Sequence, residues 1–170
     1  ENAAQTLVML GQSEDVARLA AQAGMTDLVK RQLDLKTAFA SYDAGLAAYT
    51  AKDWTGARAR FQEARQAFDK LQEPGYAERA RRASAWAVYN NAVGRPTAQA
   101  YPTWTALVEE TAHIDDPELF TRTYAAAALA ANTLKQGDPT DRLVECTHMG
   151  ERNNLPDVAA HCHGALAERE

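Results

Sequence analysis

Serine, cysteine and the short signatures of catalysis are what this chain has least of. Serine occurs only at Ser13, Ser41 and Ser84 in 170 residues, and no nucleophile-elbow, zinc-protease, dinucleotide-fold or P-loop pattern is present. The acid pairs Glu109-Glu110 and Asp115-Asp116 fall at a helix end and the next helix start, where carboxylates cap or are solvated. The chain therefore reads as a non-enzyme that needs no cofactor. An excess of basic charge is also missing: 18 Lys and Arg stand against 23 Asp and Glu, net charge -5. Arg58, Arg60, Arg65, Arg79, Arg81 and Arg82 alternate with Glu63, Glu73 and Glu78, without interleaved aromatics for base stacking. They form solvated helix faces, so nucleic acid is not an expected partner. No run approaches the ~20 apolar residues of a spanning helix, which argues against membrane insertion. The chain opens at Glu1 with no leader-like segment, as a processed protein or an excised piece would.

What is abundant is alanine, as in Ala125 to Ala128 followed by Leu129, Ala130 and Ala131, and no β-branched stretch alternates with period two. Alanine is the strongest helix former and allows close helix approach, so the expected class is all-α. Turn residues cut the chain at Gly11-Gln12-Ser13, Gly24-Met25-Thr26, Lys52-Asp53, Glu73-Pro74-Gly75, Gly94-Arg95-Pro96, Asp115-Asp116-Pro117, Gly137-Asp138-Pro139 and Asn153-Asn154-Leu155-Pro156. Nine helices are expected between them, over one domain spanning 1–170. Ser13, Asp116 and Asp138 are expected N-caps, the last two with proline at the first helical position. Pro102 predicts either a kink in a helix begun at Thr97 or a start near Tyr101. Gly11, Lys52, Gly94 and Gly137 lie about 41, 42 and 43 residues apart, the pitch of a helix-pair repeat.

The clearest unit runs Gly45-Leu46-Ala47-Ala48-Tyr49, Lys52-Asp53-Trp54, then Ala57, Phe61 and Ala64. It resembles a tetratricopeptide (TPR) repeat. Gly45 and Ala48 are small where two helices cross, Asp53 caps the second helix, Trp54 covers the turn, and Ala57, Phe61 and Ala64 form an inward stripe. Looser matches follow at Trp86, Ala87, Asn90 and Gly94, at Ala130, Gly137, Asp138 and Met149, and at Gly164. The roughly 42-residue pitch is longer than the family's usual unit of about 34.

The resemblance implies a right-handed superhelix of stacked antiparallel hairpins whose concave face receives a peptide or helix of another protein. It places Phe39, Tyr42, Leu46 and Tyr49 on that face, then Arg81, Ser84, Val88 and Asn91, then Tyr124, Leu134 and Lys135. Aromatics and Arg are good interface anchors, and the partner segment would be anchored on Tyr42, Tyr49 and Tyr124 with Arg81 and Lys135 supplying polar contacts; equally, Phe39, Tyr42 and Tyr49 fill the core of a long amphipathic helix. The family's clamp for chaperone carboxyl tails is not expected, since its Lys and Asn slots hold Tyr42 and Leu46. Self-association through an uncapped end of the array is a further expected mode.

Cys146, His148, His161, Cys162 and His163 invite comparison with zinc ligands. Alternate residues on a helix point about 200° apart, so no metal site is expected. Cys146 and Cys162 flank the Asn154 turn symmetrically, and two readings share that geometry: a disulfide across a hairpin, or two buried free thiols. The disulfide would imply a bacterial envelope or periplasmic protein, and free thiols the sensor or arm region of a larger cytoplasmic regulator.

Overall fold

The computed structural model describes residues 26–169 together with Arg18, Gln22 and Gly24. Seven helices and no strand occur among the described residues: α1 Thr26–Thr50, α2 Trp54–Lys70, α3 Pro74–Val93, α4 Thr97–Thr111, α5 Pro117–Thr133, α6 Thr140–Arg152 and α7 Pro156–Ala167. The chain is all-α. The turn expected at Gly11 and the cap expected at Ser13 lie outside the described residues. No described helix is long and apolar enough to cross a membrane. The chain divides into two compact units, Glu1–Arg81 and Arg82–Glu170, with the boundary inside α3.

In the first unit, α1 and α2 form an antiparallel hairpin. Gly45 is required there: a Cβ would stand 2.6 Å from the Phe61 ring. Asp53 Oδ1 accepts the Gly56 amide at 2.9 Å, which satisfies one of the four orphan amides of α2. Ala57, Phe61, Ala64 and Phe68 are all buried, at the i, i+4, i+7, i+11 spacing of one helix face. Ala77 and Ala80 of α3 complete that core with Ala38. Arg31 of α1 donates to the Leu71 carbonyl at 3.2 Å and to Glu73 Oε1 at 2.6 Å, pinning the α2–α3 turn.

The second unit packs alanine where the first packs rings. Ala125 and Ala128 of α5 face Leu143, Cys146, Val158 and Cys162, while Ala127 and Ala130 face Ala92, Ala100 and Trp104. Asp116 caps α5 as expected, accepting the Leu119 amide through Oδ1 at 2.9 Å, and its Oδ2 also accepts the Trp86 indole N–H at 3.0 Å. The α6–α7 hairpin closes on a Cys146–Cys162 disulfide, Cα–Cα 6.1 Å, with both residues fully buried. One turn away the backbones almost touch, so that a Cβ on Gly150 would lie 2.7 Å from the Ala159 nitrogen.

Of the two readings left open at Pro102, the structure takes the helix begun at Thr97, with Pro102 inside α4; the proline removes the amide that would have bonded the Ala98 carbonyl, and the helix continues. Helix α6 begins at Thr140 rather than Pro139. Asp138 still serves that start, since its Oδ1 accepts the Thr140 amide at 3.0 Å. The turn expected at Gly137 is present, with Gly137 at φ 69, and Lys135 two residues earlier is also left-handed at φ 54. Lys52, Gln72 and Asn154 take the same left-handed position, and all four turns carry the paired bonds of a Schellman cap, as in Asp53 N to Ala48 O and Lys52 N to Tyr49 O.

Candidate functional site

The first unit presents an aromatic surface along α1. Phe39, Tyr42 and Leu46 stand at i, i+3, i+7, hence on one side of the helix. Phe39 is 36% exposed and Leu46 44%. The Phe39 ring meets Phe68 edge-on at 5.1 Å and Tyr76 of α3 at 4.8 Å. Tyr76 is itself 39% exposed, and the Arg79 guanidinium lies 5.5 Å from its ring centre. Tyr42 is half-buried against Phe61 at 5.4 Å, and Tyr49 half-buried against Trp54 at 5.0 Å. These two tyrosines support the hairpin from its edge, while Phe39, Leu46 and Tyr76 form the exposed part. Tyr76 was not among the expected residues. Its position directly after Pro74-Gly75, in the first turn of a helix whose other early residues are small or charged, is the signal that marks it.

The other expected groove residues fall in different places. Arg81 is half-buried on α3, 3.7 Å from Glu78. Asn91 belongs to the second unit and is half-buried, whereas Ser84, expected beside it, is buried. Lys135 is exposed in the left-handed turn after α5, off the helix face where the repeat pattern set it.

Tyr124 and Arg122 divide the two sides of α5. Arg122 bonds Glu118 and, across to α7, Asp157, each at 2.9 Å. That bond holds the Asp157 carboxyl below its ordinary range, while the two acceptors push Arg122 higher still. Burial pushes the nearby Tyr89 phenol up, with Arg122 opposing. Tyr124, two residues on and about 200° round the helix, lines a cleft between α4, α5 and α6 instead. The cleft encloses about 320 Å³ among Thr105, Val108, Glu109, Tyr124, Ala127, Ala128 and Arg142. Burial pushes the Tyr124 phenol up, with the Arg142 charge opposing. A second cavity of about 290 Å³ also has Arg142 in its wall, with Tyr101, Ala131, Gln136 and Asp138. The spacing 101, 105, 108 on α4 and 124, 127, 128, 131 on α5 is that of two facing helix stripes, but the sequence does not show which stripes face each other.

The thiols that zinc would need are bonded to each other, and His148, His161 and His163 are exposed. Among the described residues no group of three or more His, Cys, Asp or Glu is placed to hold a metal ion. No family model, curated protein or solved structure matches this chain.

Proposed function

We propose that the chain is a TPR-like scaffold of helix hairpins that docks an apolar segment of a partner protein on the α1 face of its first unit. The observation that carries this reading is the exposure of Phe39, Leu46 and Tyr76, with Arg79 against the Tyr76 ring. They are three of five large hydrophobic side chains left exposed among the described residues. Aromatic and Arg side chains grouped in this way are the usual anchors of an interface. The local geometry of the α1–α2 hairpin supports the TPR-like reading, because the Gly45–Phe61 contact, the Asp53 cap and the Ala57, Phe61, Ala64 stripe each fall where that repeat needs them. The Cys146–Cys162 pairing favours an oxidising compartment such as a bacterial envelope over the arm of a cytoplasmic regulator.

Selection of a random-peptide display library on the oxidised protein tests the reading. Wild-type protein is expected to enrich peptides with two or three apolar residues at helical or extended spacing. The Leu46→Asp variant, which changes an exposed side chain outside the ring contacts, is expected to lose them while its far-UV circular dichroism stays unchanged. The same peptides binding Leu46→Asp and Phe39→Asp as strongly as wild type would remove α1 as the docking face.

A further inference from the structure

The cleft between α4, α5 and α6 contains two opposite charges that the chain does not use. Glu109 of α4 and Arg142 of α6 line the same 320 Å³ cavity. Both are exposed, and neither has a hydrogen bond or ion pair with another described residue. Asp138, which shares the adjoining cavity with Arg142, accepts Thr140 and, at 3.0 Å, Arg169 through Oδ1. Helix energetics do not explain Arg142. It is the one basic residue in the first turn of any of the seven helices, where the macrodipole disfavours a cation. The other charged first-turn residues, Asp27, Glu118, Asp141 and Asp157, are acidic. Between the two charges the floor is apolar, made of Ala127 and Ala128 with Val108 beside them.

We propose that this cleft binds a free apolar α-amino acid, its carboxylate on Arg142, its ammonium on Glu109 and its side chain over Val108, Ala127 and Ala128. A simple anion would leave Glu109 facing its own charge, and a simple cation would do the same with Arg142, so a zwitterion is the ligand that answers both. The volume stands at the small end of ligand pockets, which run from roughly 300 to 1,000 Å³, and suits a single amino acid rather than a dinucleotide or a folded segment. The Tyr124 hydroxyl, in the wall of the same cavity, is a further donor for the carboxylate. This inference is independent of the docking reading of α1.

Calorimetric or NMR titration of the oxidised full chain decides it, with L-leucine, 4-methylpentanoate and isoamylamine as probes. Leucine is expected to saturate, and each probe lacking one charge to bind about tenfold more weakly or worse. Arg142→Ala is expected to weaken leucine by a similar factor. Glu109→Gln should narrow the gap between leucine and 4-methylpentanoate. Failure of leucine to saturate by about 10 mM, or equal binding to Arg142→Ala, would overturn the proposal. Ligand-free coupling between Glu109→Gln and Arg142→Ala in thermal unfolding would overturn it too, by showing that the two side chains pair with each other.

Discussion

The α1–α2 and α6–α7 hairpins solve one problem with different chemistry. Each turns on a left-handed Schellman cap, at Lys52 and at Asn154, and each brings its helices together over a glycine, Gly45 or Gly150. In the first hairpin the glycine receives the Phe61 ring, and Phe68, Phe39 and Tyr76 extend the aromatic packing to the surface. In the second the glycine receives backbone, and a disulfide one turn away fastens a core of small side chains. Rings fill volume but end in edges that α1, α2 and α3 leave partly uncovered, whereas alanine with a cystine closes the α6–α7 seam with small buried side chains. The difference between a unit with exposed rings and a unit fastened by a cystine therefore follows from which residues meet at the two crossings.

The aromatic hairpin is weakened most by a change at Phe61. Phe61→Ala removes a fully buried ring from the Gly45 crossing, and a loss of about 3–5 kcal/mol is expected. Hydrogen exchange followed residue by residue should show it first in α1 and α2. Removing the cystine acts on the other hairpin: Cys146→Ser with Cys162→Ser, or reduction, is expected to cost about 3 kcal/mol, the chain-entropy value for a loop near this length. Exchange should then rise in α6 and α7 while α1 and α2 keep their protection. Equal loss of protection in both hairpins from either change would contradict separate fastening.

Acid gives the smallest effect, and it belongs to the second unit. Thr140 holds the Asp138 carboxyl below its ordinary value and Arg122 does the same for Asp157. A carboxyl lowered by folding contributes stability that is present above its unfolded pKa, near 3.8, and lost as pH falls through the lower folded value. The melting temperature should thus decline below about pH 4, and Asp157→Asn should flatten that decline. An unchanged acid limb in Asp157→Asn would show that the α5–α7 ion pair contributes nothing in solution.

Much of this architecture is legible in the sequence where one residue has one physical use. Gly45, Asp53 and the Ala57, Phe61, Ala64 stripe take the expected places, and Asp116-Pro117 starts α5. The symmetry of Cys146 and Cys162 about the 154 turn narrows their state to two readings but does not choose between them, because buried thiols and a cystine share that symmetry. The turn at Lys52 is legible but its left-handed backbone is not, nor are those of Gln72 and Lys135, since these side chains carry no preference for positive φ. The candidate sites were less legible still. Tyr124 lies 200° from Arg122 on the same helix, and an error of two positions in repeat register moves it from one surface to the other. Glu109 and Arg142 line one cleft only because α4 and α6 both pack on α5, which no local pattern encodes.

Leu46 and Val144 allow the two units to be compared directly, because they are exposed aliphatic side chains of similar accessibility, 44% and 39%. With p-benzoylphenylalanine replacing one or the other, and a peptide enriched on the wild-type protein added at equal concentration, irradiation and mass spectrometry report which surface the peptide occupies. Cross-linking is expected from position 46, with none above background from position 144. Cross-linking from 144 alone, or equally from both, would contradict a docking face on α1.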